Sequence, residues 1–359
     1  MADFDDELRR LRGKYAQPGK EGALFDERFQ AIASRVISGR GTRQTPYSGI
    51  PTFLAAPAVS LEREPGALDE LDVGHFGVPM DIGVTNRSGA RFGPRAVRTI
   101  ERVGPYNHVL DCAPGIEMRM ADLGDVPFAG RYRLEECHAD IERFARSIVE
   151  AGTLPLAVGG DHSISHPLLR AVGRDRPVGM IHIDAHCDTA GEFDANRFHH
   201  GAPFRNAVLD GVLDPRRTIQ IGIHGSSEYL WEFSYDSGMT VVHAEEIGRS
   251  GVEPVIAKAL EVVGDGPVYL SFDIDSLDPA FAPGTGTPEI GGLSTREVMA
   301  LLHGLKGIDI VGGDVVEVAP QYDATTNTAH AGAQMLFEIA SLMVFAPGRK
   351  GRAATASAR

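Results

Sequence analysis

The chain has 359 residues, with 35 Lys and Arg against 49 Asp and Glu and a formal net charge of −14. That balance argues against nucleic acid or an anionic membrane as partner and suits a small cationic substrate. No uninterrupted run of roughly 18 apolar residues occurs and the charged first ~20 residues lack a signal-peptide core, so a soluble, cytoplasmic protein is expected, and Cys112, Cys137 and Cys187 fit neither a disulfide framework nor a zinc spacing.

From the N-terminus, residues 1–70 read as an extension, 71–346 as one catalytic domain and 347–359 as a disordered basic tail. Within the domain, helical patterns at 141–151, 254–263 and 295–305 are interspersed with apolar runs at 154–158, 178–183 and 267–272. This alternation is that of an α/β protein with parallel strands joined by crossover helices.

Each apolar run ends in a polar cluster. GGDHS follows the first, DAHCD the second, and SFDID closes the third. Ligands gather at the carboxyl ends of strands in such sheets, and an i, i+2 spacing on extended chain points alternate side chains the same way. Asp184, Asp188, Asp273 and Asp275 would therefore bring four negative charges into one cleft, which is untenable in a partly desolvated site without cations. Two divalent ions balance them, with His162 and His186 as neutral ligands, so the expected metal set is His162, Asp184, His186, Asp188, Asp273 and Asp275. Oxygen-rich ligation favours Mn²⁺ or a similar ion over thiolate-held zinc. Asp161 reads as an orienting partner of His162 or a helix cap, and His182 as a core histidine.

GGDHS (159–163), HIDAHCD (182–188), SFDIDSLDPAFAPGTGTPEIGGL (271–293) and DVVEV (314–318) resemble signature segments of the ureohydrolase (arginase and agmatinase) superfamily. GVPMDIGVTNRSGARFGPRAVR (77–98) is similar to the agmatinase-like branch. The resemblance implies a three-layer α/β/α fold around a central, mostly parallel sheet. It also implies a centre of two Mn²⁺ ions, with Ni²⁺ as the alternative, that hydrolyses a guanidino C–N bond to urea and an amine. On the family pattern His162, Asp184, Asp188 and Asp273 surround one metal, His186 and Asp275 help hold the other, and Asp188 and Asp273 bridge. The catalytic residues implied are Asp188, His200 as proton shuttle and Glu317 as the carboxylate orienting the guanidinium.

Substrate contacts are expected from Glu317, His200, His224 and Trp231. His224 stands where relatives more often carry arginine, and Tyr229 and Trp231 offer a surface for stacking a flat cation. For the far end of the substrate, Glu192 or Asp194 would suit an ammonium, and Arg87, Arg91 or Arg205 a carboxylate. The long extension could close the pocket around free guanidine, an alkylguanidine or a biguanide such as dimethylbiguanide, or clasp a neighbour in the homo-hexamer or trimer that the family forms. Other classes the sequence leaves open are a metal-dependent amide deacetylase and a non-catalytic regulatory subunit of a hetero-oligomer with a paralogous chain.

Overall fold

The computed structural model describes residues 2–16, 24–34, 47–64, 66–101, 103–225 and 228–349. It divides into two units, 1–48 and 49–359. The smaller contains the helices Ala2–Tyr15 and Glu27–Ala33, the second capped by Asp26 accepting from the Phe29 N–H. The larger includes 49–70, part of the extension set off in the sequence: Phe53 is fully buried, and its N–H donates to Asp122 Oδ2 at 2.9 Å. The expected tail from Lys350 onward lies outside the described residues.

Eight strands form the larger unit's sheet: β1 (Val73–Val78), β2 (Met120–Asp125), β3 (Leu154–Gly159), β4 (Val178–Ile183), β5 (Leu213–Ile223), β6 (Thr240–His243), β7 (Val268–Asp273) and β8 (Ile310–Val316). Their order is β2-β1-β3-β8-β7-β4-β5-β6, and every pairing is parallel. Strands buried on both faces need apolar residues at nearly every position, hence LPLAV and VGMIHI rather than alternation.

Successive side chains serve opposite faces. Leu156 and Val158 join one apolar cluster, with Val298 and Leu302 of the helix Thr295–Gly304 and Leu336 and Ile339 of Asn327–Met343. Ala157 and Met180 join the other, with Ile141 and Ile148 of Leu134–Glu150 and Leu168 and Leu169 of Ser165–Val172. The result is the expected three-layer α/β/α architecture. No helix among the described residues is long and apolar enough to cross a membrane.

The order brings four strand ends together at the centre. Val158 pairs with Val315, Phe272 with Val315, and Ile183 with Phe272, so β3, β8, β7 and β4 finish level with one another. One close approach fixes the exit of β3. A Cβ on Gly160 would lie 1.7 Å from the Met80 carbonyl oxygen, so only glycine lets the chain pass there.

Candidate metal centre and active site

His162, just past β3, is the pivot of the site. Its Nδ1 lies 3.1 Å from Asp184 Oδ2, 2.9 Å from Asp188 Oδ2 and 3.1 Å from Asp273 Oδ2. Its orientation comes from behind: Nε2 is 2.8 Å from Ser271 Oγ on β7, and Ser271 donates to Asp314 Oδ1 on β8 at 2.7 Å. Asp314 is anchored in turn by the hydroxyls of Tyr269 and Ser165. Because the Ser271 proton goes to Asp314, its oxygen is free to accept Nε2–H, and this places the lone pair of neutral His162 on Nδ1. Nδ1 is buried without a hydrogen-bond partner. A bare lone pair facing three carboxylate oxygens at about 3 Å is repulsive unless a cation lies among them, so the donor set fits a metal ion.

A second group adjoins the first. His186 Nδ1 is 3.2 Å from Asp275 Oδ2 and 3.5 Å from Asp184 Oδ1. Asp184 thus turns one oxygen to each group, while Asp188 faces His162. The family pattern placed bridging on Asp188 and Asp273; in this geometry Asp184 is the carboxylate that addresses both groups. Asp184 also receives His182 Nε2 at 2.7 Å, and Gln220 Nε2 lies 3.0 Å from His182 Nδ1. His182 is therefore no bystander of the core but the rear support of Asp184. The extended i, i+2 alignment expected for the ligands does not hold: 184–186 form a bend, Asp188 is left-handed and Asp275 lies in a 3-10 turn, Ile274–Ser276.

The electrostatics match a site built for cations. Burial and the negative charges of Asp275 and Asp184 raise the Asp273 carboxyl well above the usual range, and burial also raises Asp275. Burial would lower His162, yet its three carboxylate neighbours raise it well above the ordinary imidazole value, so that without a metal ion a proton on Nδ1 answers them and a metal ion would take that proton's place. Backbone strain accompanies this crowding: Asp188 and Glu317 hold φ of 50° and 62°, left-handed conformations that non-glycine residues seldom adopt.

Glu317 follows β8. Its Oε1 accepts from the His162 backbone N–H at 3.0 Å and lies 2.8 Å from His200 Nδ1, while Oε2 is buried with no partner. His200 Nε2 receives the Thr85 N–H at 3.1 Å and lies 2.7 Å from Thr85 Oγ1. Since a backbone N–H can only donate, the Thr85 contact fits the neutral ring with its proton on Nδ1, and protonation of Nε2 breaks that contact. Burial would depress the His200 pKa, but the bond to Glu317 and the charges of Glu317, Asp188 and Asp161 push it up to about 9. Asp161 accepts from Ser163 and, through Oδ2, from the Gly83 N–H at 2.8 Å, so it is a cap and a tether rather than an orienter of His162. Burial, reinforced by Glu317, raises it to about 6.

A cavity of about 460 Å³ opens over the site, with His186, Asp188, His200, Asp273, Asp275 and Trp231 in its wall. His162, Asp184 and Glu317 lie beneath rather than in that wall. His224 departs from expectation. It is 3% exposed, its Nδ1 lies 2.7 Å from the Gly222 carbonyl oxygen, and it does not line the cavity. Its imidazole is spent on the turn after β5. His199 behaves as a loop residue, bonded to Gly191 O at 2.8 Å. Cys187 lines the cavity, yet burial pushes its thiol up to about 12, which leaves it inert. Asp314, in the DVVEV segment, was expected to support the site from behind and does so through Ser271, whereas Thr85 and Glu289 gave no signal in sequence, since each is polar on a loop and acquires its role from a neighbour distant in the chain.

A parallel sheet whose central strand ends converge on a carboxylate–imidazole cluster able to hold a metal ion defines the α/β class to which this protein belongs. Residues 71–341 match the family model "Arginase family", and the chain belongs to that family. Within it the chain falls in the agmatinase-like branch and is a hydrolase. It is 49% identical to the guanidinopropionase of Pseudomonas aeruginosa over 84% of this chain and 94% of that one. It is 45% identical to the mitochondrial agmatinase of Gallus gallus over 78% and 82%. Among solved structures, proclavaminate amidino hydrolase from Streptomyces clavuligerus superposes with a TM-score of 0.77 at 35% identity, over 84% of this chain and 100% of that one.

Proposed function

We propose that the protein is a binuclear-metal amidinohydrolase that cleaves the guanidino C–N bond of a small guanidine compound, yielding urea and an amine. The observation that carries this reading is the pairing of two unsatisfied atoms: His162 Nδ1 aimed into three carboxylates, and Glu317 Oε2 buried beside it without a donor. The first calls for metal, the second for a guanidinium. The names of the guanidinopropionase, agmatinase and amidino hydrolase relatives point to the same bond.

His162, Asp184, Asp188 and Asp273 would hold one divalent ion, and His186, Asp275 and the second oxygen of Asp184 the other, Mn²⁺ being favoured by the oxygen-rich set and Ni²⁺ the alternative. Bound there, such ions supply the Lewis acidity that makes water nucleophilic near neutral pH. The chain's own residues do the rest. Glu317 accepts a guanidinium N–H through Oε2 and fixes the plane of the cation. Its other oxygen holds the proton on His200 Nδ1. Nε2 of His200 is the atom that carries a second proton toward the departing amine, and it does so only by releasing the Thr85 N–H. Trp231 and Tyr229 offer flat aromatic surface in the cavity wall against which the planar cation would lie.

The test is urea release by the full chain loaded separately with Mn²⁺ and Ni²⁺, across a panel of guanidine compounds. Release that depends on metal supports the reading; a protein carrying two ions that liberates urea from none of them overturns it.

A further inference from the structure

The cavity wall contains no arginine or lysine among the described residues. Apart from the carboxylates of the metal centre, its charged groups are Glu192 and Glu289. Glu289 Oε1 is 3.7 Å from His186 Nε2, too far for a hydrogen bond, and its side chain is 30% exposed, so it can meet a ligand. Phe193, Tyr229 and Trp231 supply flat apolar surface around it.

The three arginines that could greet a carboxylate are engaged elsewhere. Arg87 donates to Gly286 O at 3.2 Å and Thr285 O at 2.8 Å and lies over the Tyr322 ring at 4.3 Å. Arg91 pairs with buried Asp81 in a separate cavity. Arg205 lies over Phe233 at 4.8 Å with its guanidinium behind the wall residue Gly191, and none of the three itself lines the cavity.

With two divalent ions in place the charge of the four aspartates is cancelled, and that of Glu317 is answered by the guanidinium. The carboxylate charges left in the cavity wall are those of Glu192 and of Glu289, the latter beside His186. A carboxylate entering there would lose water and face two like charges, with Arg205, the nearest arginine or lysine among the described residues, held behind Gly191 on the Phe233 ring. From this wall we infer, resting on the amidinohydrolase reading, that the protein takes guanidines whose other end is uncharged or cationic and discriminates against guanidino acids. That preference is opposite to the one in the name of the guanidinopropionase relative.

Three compounds with the same spacer and different ends decide it: 4-guanidinobutyrate, n-butylguanidine and 3-aminopropylguanidine. For the metal-loaded full chain, kcat/KM for urea release and the Kd from calorimetry are measured for each. The acid is expected to be worse than both others by about tenfold or more, as a carboxylate near two others at an effective dielectric of 20–80 requires. Glu192→Arg and, separately, Glu289→Gln should each narrow the gap severalfold. An acid that is bound and turned over as well as n-butylguanidine overturns the inference, as does a gap that neither variant changes. Should no compound release urea, the amidinohydrolase reading falls, and the order of Kd values still decides which tail the cavity accepts.

Discussion

Replacing Glu317 by glutamine tests the site at the point where substrate binding and metal binding separate. The amide oxygen can take the place of Oε1 and keep the acceptor for the His162 N–H at 3.0 Å and the His200 Nδ1–H at 2.8 Å. The NH₂ then falls where Oε2 now lies, in a buried position with no partner. There it presents donors to the donors of a guanidinium. The loss is one charge-assisted hydrogen bond, about 1.5–3 kcal/mol, together with an unsatisfied buried donor at about 1–3 kcal/mol. The sum predicts a fall in kcat/KM of roughly 10² to 10⁴. Glu317 touches His162 only through the backbone, so the variant should keep its metal. The bond to Glu317 raises His200, so removing the charge should also move the His200 limb of the pH–rate profile to lower pH. Steady-state kinetics and metal analysis on one preparation check all three. A variant that loses as much metal as His162→Ala, or whose kcat/KM stays within threefold of the parent, would refute the reasoning.

His162→Ala and Asp188→Asn should abolish activity by losing metal, measured as ions per chain, and chelation of the parent should lower its Tm because the clustered carboxylates are then uncompensated. Retention of two ions in His162→Ala would show that the ligand set is wrong. Gly160→Ala places a Cβ 1.7 Å from a backbone oxygen and should cost several kcal/mol or prevent folding, as read from denaturant midpoints; a loss below ~1 kcal/mol would contradict it. His75 is fully buried with both ring nitrogens unpartnered, and burial lowers its pKa to about 4. Its folded pKa lies below the unfolded value, so its contribution is intact above pH 6.5 and is lost as pH falls toward 4, on the order of 3 kcal/mol. His75→Leu should flatten the pH dependence of ΔG over that window, and an unchanged slope would sink the assignment.

The three strand ends and their ligands were legible in the chain because the relevant rules are local. A buried strand writes itself as an apolar run, but Asp184, His186 and Asp188 come together on a bend past β4, with Asp188 at φ 50°, and not on the extended chain their spacing suggested. The charge argument is also local, since four aspartates behind apolar runs demand cations in any fold that joins the runs. The insertion of β8 between β3 and β7 was not legible, because hydrogen-bonding between strands some 150 residues apart leaves no periodicity in either. Everything that depends on it was hidden too: Ser271 relaying Asp314 to His162, Glu317 reaching His200, and Asp184 facing both histidines. The sequence by itself determined the class of sheet and the carboxylates and imidazoles that gather at its central strand ends. Only the tertiary structure decided which oxygen faces which nitrogen, that His224 turns away and that Arg87, Arg91 and Arg205 are already engaged, because a side chain's partners are chosen by what folds against it and not by its neighbours in the chain.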